Sequence, residues 1–515
     1  MKHYSNIVKS TFLIVLISLG AKLLGYGEKV IMAWYFGTGP ELDAYFVAFG
    51  VIFAVFLLVR ELVEPGFLPT FMQLRKEGKE SEAWNFFNTI GLLILVAMGL
   101  FVAVGLLFPD QLVKVFAPGF EPEKATITKK ILNWALWGAL FLGPSALTYI
   151  TLNGLKRFAL PAIGDLALKA GAIVGLLVFY QSMGIYALGL AVFLGAVARL
   201  AVHLLGLGKR LASPKLRLGS TEMKQMGLLT APIALGVIFS QASTLVDNAF
   251  ASMLADGTVS ALTYAKKLID LPVVVLPYAL GIVVFPYFSQ LKLEKRLHEL
   301  LGLFSDALYW IVLVFVPLSL FMLWNATPIV QLALERGAFD AHSTSLTAPA
   351  LSIYAIGLTA FAVETVLVLL YYAMGDTRRP IGIGILMVLV NFALTWALLS
   401  SLGHLGIALA LVVSKTLKVI VLLWMLKGKF TIDFGPAFRI FSKIMLAALP
   451  VAALLFVADA YVAAGLPDGK LMDAAYLGGL FTGTGIVFLL MVKVLGLPLK
   501  VRNFSADEGK EVENG

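Results

Sequence analysis

The chain has 515 residues, 60% of them hydrophobic and 14% charged, with a net charge of +9 and no cysteine. A soluble domain is nearer half apolar and a quarter charged, so at a mean hydropathy of +0.91 the excess apolar surface must face something other than water. The composition excludes disulfides, thiolate metal sites and cysteine nucleophiles. The five histidines (His3, His203, His298, His342, His404) share no ligand spacing, and the sequence holds no phosphate-binding glycine loop, nucleophile elbow or HExxH.

Windows of about 20 apolar residues place fourteen helices along the chain. Their cores lie at 10–36, 43–74, 86–108, 130–152, 160–180, 185–207, 224–253, 259–290, 299–324, 346–373, 380–400, 404–426, 438–462 and 473–496. Uninterrupted apolar runs favour helices over a barrel, whose strands alternate every second residue. Thr11–Ala21 has the look of a signal peptide, but it lacks a small-x-small cleavage site and runs on into a longer helix, so it reads as the first span. The second, seventh and eighth helices exceed a bilayer's thickness and are expected to project into water. The chain therefore reads as an all-α polytopic membrane protein.

With the N-terminus inside, the internal loops carry 18 basic residues: Arg75, Lys76, Lys79, Lys156, Arg157, Lys209, Arg210, Lys215, Arg217, Lys292, Lys295, Arg296, Arg378, Arg379, Lys427, Lys429, Arg439 and Lys443. The external loops carry six, namely Lys114, Lys124, Lys129, Lys130, Arg336 and Lys470. This bias puts both termini in the cytosol. It also accounts for most of the net charge without a nucleic-acid partner.

The second and eighth helices repeat one another. Ala44, Ala48, Pro69, Phe71, Gln73 and Leu74 recur 217 positions later as Ala261, Ala265, Pro286, Phe288, Gln290 and Leu291. Pro161, Gly184, Leu190 and Ala191 recur 219 positions on as Pro380, Gly403, Leu409 and Ala410. Two parallel six-helix lobes follow, related by a pseudo-two-fold axis along the membrane normal, one known transporter plan. The lobes are expected at 1–218 and 219–430, with an extra helix pair at 431–498 and a cytosolic polar tail at 499–515.

A charge at the bilayer centre costs roughly 2.5–3.5 kcal/mol on insertion scales, so charges inside the spans mark a wet cavity or a partner. The first helix carries Lys22, Glu28 and Lys29; the second Arg60, Glu61 and Glu64 before Pro65; the eighth Lys266, Lys267 and Asp270 before Pro272 and Pro277. Local pairing of Arg60 with Glu64, and of Lys266 or Lys267 with Asp270, is one reading. It leaves Lys22 unexplained, and a cavity that attracts an anion is the sharper one. Arg199, Lys415 and Lys418 are expected to snorkel. Asp165 with Lys169, and Asp247 with Asn248, read as structural pairs or as a coupling-ion site, and Glu364 stands alone in an apolar stretch. Gly171–Gly175 and Gly479–Gly483 read as close-packing faces.

Gly37-Thr38-Gly39, Asp43-Ala44-Tyr45-Phe46-Val47-Ala48-Phe49 and Phe67-Leu68-Pro69 resemble the start of the MurJ/MviN family of lipid II flippases, within the multidrug/oligosaccharidyl-lipid/polysaccharide (MOP) exporter superfamily. Ala117-Pro118-Gly119-Phe120, Ala251-Ser252-Met253-Leu254, Gly257–Ala265, Leu271-Pro272, Ala279-Leu280-Gly281 and Phe285-Pro286 extend the likeness over nearly the whole chain.

The resemblance implies a bacterial inner-membrane flippase and not an enzyme. It would move undecaprenyl-pyrophosphate-linked peptidoglycan precursor from the cytosolic to the periplasmic leaflet by alternating access. It implies substrate-binding cations at Lys22 and Lys267, with Lys29, Arg60 and Lys266 nearby. Glu28, Asp43, Glu61, Glu64 and Asp270 would be supporting or gating acids. Where the family has an arginine followed by aspartate, this chain has Glu28 then Lys29. Lysine keeps the charge and loses the bidentate fork. No cofactor or metal is expected, with coupling to a monovalent cation or to the membrane potential. Cell-wall synthesis proteins are candidate partners. The alternatives are export of another polyprenyl-linked glycan, a cation-coupled drug antiporter, which an acidic cavity would favour, and a membrane scaffold.

Overall fold

The computed structural model describes residues 2–208, 218–429, 435–461 and 469–498. The basic loop with Lys209, Arg210, Lys215 and Arg217 and the tail 499–515 lie outside the described residues. The described chain is helical: α1 (Lys2–Phe36), α2 (Pro40–Lys76), α3 (Glu80–Leu107), α4 (Pro109–Phe116), α5 (Pro122–Gly154), α6 (Ala159–Met183), α7 (Ala187–Leu207) and α8 (Thr221–Ser252). Then follow α9 (Thr258–Leu293), α10 (Leu297–Trp324), α11 (Ala326–Leu334), α12 (Ala341–Ala373), α13 (Arg378–Leu402), α14 (His404–Lys429), α15 (Gly435–Tyr461) and α16 (Lys470–Val494). Two of these, α4 and α11, are helices of eight and nine residues in the connections between expected spans. Among the described residues ten stretches are long and apolar enough to cross a bilayer, one of which, Ala159–Leu207, contains both α6 and α7.

The chain forms two compact units. The first is Met1–Leu268 with Ala333–Ala350 and Ile381–Ser414; the second is Ile269–Leu332 with Leu351–Pro380 and Lys415–Gly515.

In the first unit, α2 opens with Pro40, whose missing N–H is an orphan of the first turn anyway, and Glu41 and Asp43 lie at its positive end. Its C-terminal half stacks Phe67 on Phe71 and Phe86, at 5.2 and 5.4 Å between centroids. Trp84 meets Phe71 edge-on at 5.4 Å. Helices α6 and α7 approach through small residues. A methyl on Gly171 would lie 2.8 Å from Gly195 Cα, and one on Gly175 would lie 2.9 Å from Ala191 Cα. Gly37 ends α1 at φ +60, where a side chain would run into the Ala338 carbonyl. The Ala338 amide donates to Trp34 O at 2.8 Å. Asp340 then caps α12, accepting the Ser343 amide at 2.8 Å, and that bond holds its carboxyl below the usual range.

In the second unit, Phe321 of α10 meets Phe481 of α16 at 5.1 Å, and Trp324 meets Phe456 of α15 at 6.3 Å. The buried Tyr371 hydroxyl donates to Leu422 O at 2.7 Å, tying α12 to α14. Among the described residues nothing stands within 4 Å of a methyl built on Gly479 or Gly483, so with those residues these glycines form no packing face of the kind expected.

Gly171→Leu should therefore destabilise the protein by about 1–3 kcal/mol through overpacking. Gly479→Ala should stay within about 0.5 kcal/mol of the parent. Thermal unfolding of the two variants in one detergent measures the difference.

Candidate functional site

The intramembrane charges of the first unit sort into three groups. The first centres on Glu28. Its Oε2 accepts Lys169 Nζ at 2.7 Å, and its Oε1 lies 3.7 Å from Lys29 Nζ. Lys29 is enclosed: its ammonium donates to Met32 Sδ at 3.4 Å and sits 5.0, 5.6 and 5.8 Å from the ring centroids of Phe46, Phe49 and Tyr45. Those rings offer negative π-faces to a desolvated cation. Lys267, exposed on α9, is near enough to act electrostatically on both Glu28 and Lys29. Lys22 is partly buried two turns before Lys29, within about 20° of it around α1. Three lysines thus surround one carboxylate, and the group is net positive.

Lys169 was read from the sequence as a partner of Asp165, four residues away on α6. The structure corrects this: Lys169 reaches Glu28, 141 residues distant. Asp165 instead pairs with Arg199 Nη2 at 3.1 Å. A tertiary partner on another helix leaves no mark in local spacing, so the sequence held no signal that preferred Glu28.

Arg60 belongs to the second group. Its guanidinium lies over the Tyr149 ring at 4.5 Å and makes no ion pair with Glu64. Arg199 lies over Tyr149 and Phe56 at 5.6 and 4.9 Å, so one tyrosine faces two guanidinium groups. Arg199 does not snorkel; it is 2% exposed. Asp165 and the rings replace the water it gives up. Glu61 lies beside the Gln241 amide of α8. Glu64 and Asp270 are half-buried on their helices.

Lys266 acts electrostatically on Asp247 of α8. The Asp247 carboxylate accepts Asn391 Nδ2 at 2.9 Å, so its partner is on α13 and is not the neighbouring Asn248. Among the described residues Asn391 Oδ1 and, one turn on, Thr395 Oγ1 are buried with no hydrogen-bond partner.

The third group is an anchor. Asp43 is 0% exposed, and its two oxygens accept Lys124 Nζ (2.8 Å), the Gly257 amide (2.8 Å), the Ser260 amide (2.8 Å) and the Ser260 hydroxyl (2.6 Å). Lys124 also bonds Asp256 at 2.8 Å. A side chain of α2 therefore caps the first turn of α9, a carboxylate on a helix's positive end.

In the second unit, Glu364 is not alone. It receives Lys415 at 2.6 Å and Lys418 at 2.7 Å, which pair with it from α14 instead of snorkelling. Among the described residues no three His, Cys, Asp or Glu side chains gather as metal ligands.

Comparison with known proteins follows this geometry. A family model described as "Lipid II flippase MurJ" matches residues 32–467. A "Probable lipid II flippase MurJ" of Buchnera aphidicola subsp. Schizaphis graminum is 26% identical over 507 residues, 96% of this chain and 98% of its own. A "Lipid II flippase MurJ" of Burkholderia cenocepacia is 26% identical over 470 residues, 87% of this chain and 90% of its own. Among solved structures, "Lipid II flippase MurJ, inward closed conformation" superposes with a TM-score of 0.79 at 23% identity, over 94% of this chain and 98% of that one. An inward-facing MATE family transporter of the MOP superfamily superposes at 0.68 and 15% identity, over 80% and 97%. These superpositions establish the fold.

Asp43→Ala should cost about 3–5 kcal/mol, because it strands two amide donors and the Ser260 hydroxyl in a buried place and leaves Lys124 only the exposed Asp256. Hydrogen exchange should speed up at the Gly257 and Ser260 amides before it does elsewhere. Unchanged protection there would remove Asp43 as the cap of α9.

Proposed function

The chain belongs to the lipid II flippase MurJ family, and from that premise we propose that it carries an undecaprenyl-pyrophosphate-linked peptidoglycan precursor from the cytosolic to the periplasmic leaflet. The observation that supports this reading most is the net-positive group around Glu28, with Lys29, Lys169 and Lys267 about it. A pyrophosphate brings compensating charge to it; a cationic drug does not. The fold likeness to a MATE transporter therefore does not extend to its class of substrate.

Lys22 and Lys267 receive the phosphates, and Arg60, backed by Tyr149, extends the basic surface. Lys266 serves Asp247 instead of the substrate. Glu28 moderates the cluster, and Asp43 holds α2 to α9 while the molecule moves. The lobes 1–218 and 219–430 rock to alternate access. The exposed apolar side chains of α15 and α16, among them Leu449, Phe456, Ile486 and Leu490, accompany the polyprenyl tail. Translocation makes and breaks no covalent bond, so the reading assigns no catalytic residue. The protein spans the bacterial inner membrane many times, with both termini cytosolic, and delivers its cargo to cell-wall synthesis proteins outside.

Asp247, Asn391 Oδ1 and Thr395 Oγ1 are the candidate coupling site. A single carboxylate with neutral oxygens suits a monovalent cation, since divalent sites gather more charge. The membrane potential adds about 2.3 kcal/mol per charge per 100 mV.

Supplied to bacteria depleted of their own flippase, the protein should restore access of lipid II to the outer leaflet. Lys22→Gln and Lys267→Gln should each abolish this at unchanged expression. Failure of the well-expressed parent would sink the lipid II assignment, and full activity of both variants would sink the cationic site. Asp247→Asn should remove any dependence of transport on sodium or proton gradients, read in proteoliposomes.

A further inference from the structure

Glu28 has two lysine partners in unequal positions. The Lys29 side chain is 7% exposed and is held by Met32 and three aromatic rings, whereas the Lys169 side chain is 28% exposed. The stem of Lys169 crosses α1 at Gly25, where a methyl would stand 3.4 Å from its Cε and 3.8 Å from its Cδ. Its ammonium meets Glu28 one turn further on. Lys169 thus lies along the surface of α1, with its charged end on a carboxylate that has a second cation behind it.

That second cation matters. A buried carboxylate stripped of its counter-ion is costly. Glu28 keeps Lys29 when Lys169 departs. A lysine is also suited to departing: it is a point charge with three rotatable donors on a flexible four-carbon stem, unlike the fixed fork of arginine. The Glu28 carboxylate and a phosphate present the same kind of anionic oxygen to it.

We propose that Lys169 is an anion-exchange arm of the substrate site: its ammonium leaves Glu28 for a phosphate oxygen of the lipid-linked pyrophosphate, and returns to Glu28 when that anion has gone. The inference rests on the flippase reading and deepens it. Lys169 becomes a substrate ligand, and Glu28 becomes a competitor built into the site. Competition of this kind keeps binding strong enough for capture and weak enough for release, the condition any conducting site must meet.

The exchange predicts effects of opposite sign from the two ends of one ion pair. With full-length protein in lipid nanodiscs and undecaprenyl pyrophosphate as the probe, Lys169→Gln should raise Kd about tenfold, the size of one charge-assisted hydrogen bond. Glu28→Gln should lower Kd several-fold and slow flipping in proteoliposomes, because Lys169 is then free for the anion and release is hindered. Lys169→Arg should hold Kd within about threefold of the parent. Binding of undecaprenol, which lacks the phosphates, should not respond in any variant. A purely structural ion pair gives Kd unchanged in Lys169→Gln, or weakened binding in Glu28→Gln. Either result overturns the exchange while leaving the flippase reading intact, and each variant decides the matter by itself if the other cannot be purified. A parent protein with no preference for the pyrophosphate over undecaprenol overturns the flippase reading, and the exchange with it.

Discussion

A charge taken out of water must be met by a counter-charge, by hydrogen bonds or by a π-face, and this requirement governs the first compact unit. In an apolar helical bundle the desolvation penalty is large and the choice of partners small. Each ionic side chain therefore becomes a constraint on which helices lie side by side. Lys169 ties α6 to α1, Lys124 ties α5 to α2, and Arg199 ties α7 to α6, while Arg199 and Arg60 together fix Tyr149 of α5. Close contacts such as Gly171 against Gly195 supply the packing. The charges supply the register.

The degree of satisfaction separates charges that hold the fold from charges that act. Asp43 is saturated: four donors converge on its two oxygens, and Lys124, its cation, is itself held by Asp256. No oxygen of it remains to bind anything else, and its role is that of a fixed anchor. Glu28 is different, with one oxygen at 2.7 Å from an ammonium and the other at 3.7 Å. It has an excess of cations around it and a shortage of close bonds. Asp247 occupies a middle position, paired to Asn391 while neighbouring oxygens of Asn391 and Thr395 find no donor. An incomplete buried site of this kind is where a ligand gains most by binding.

The same distinction explains what could be read from the sequence. Helix positions follow from apolar run length, a local property, and each expected core overlaps a long helix among the described residues, ten stretches of which are apolar enough to cross a bilayer; α4 and α11 lie in the connections, where eight or nine residues give too short a run. The charged residues inside helices stood out for the same local reason. Their partners did not. Spacing suggested Asp165 for Lys169 and Asn248 for Asp247, yet Glu28 and Asn391 lie 141 and 144 residues away. Glu364 looked solitary because its lysines sit 51 and 54 residues further on. A window along the chain sees neighbours at i+3 and i+4, whereas desolvation selects partners across helices. Lys22 and Lys267 are legible as charges; the bond from Lys169 to Glu28 is not.

The repeat gives the anchor a further meaning. Asp43 and Ser260 are 217 positions apart, the interval at which the second helix recurs in the eighth, so Asp43 bonds its own counterpart. In an object with two-fold symmetry only positions at the axis touch their equivalents. Equivalent positions of the repeat thus meet at the starts of α2 and α9. Strict symmetry would be ruinous there, because two aspartates in contact repel and share one supply of donors. One aspartate and one serine resolve the conflict, since the hydroxyl and the amide of Ser260 both donate to the carboxylate at 2.6 and 2.8 Å. The charge that remains is met by Lys124 of α5. Divergence of the two halves at this position is thus what allows them to be joined.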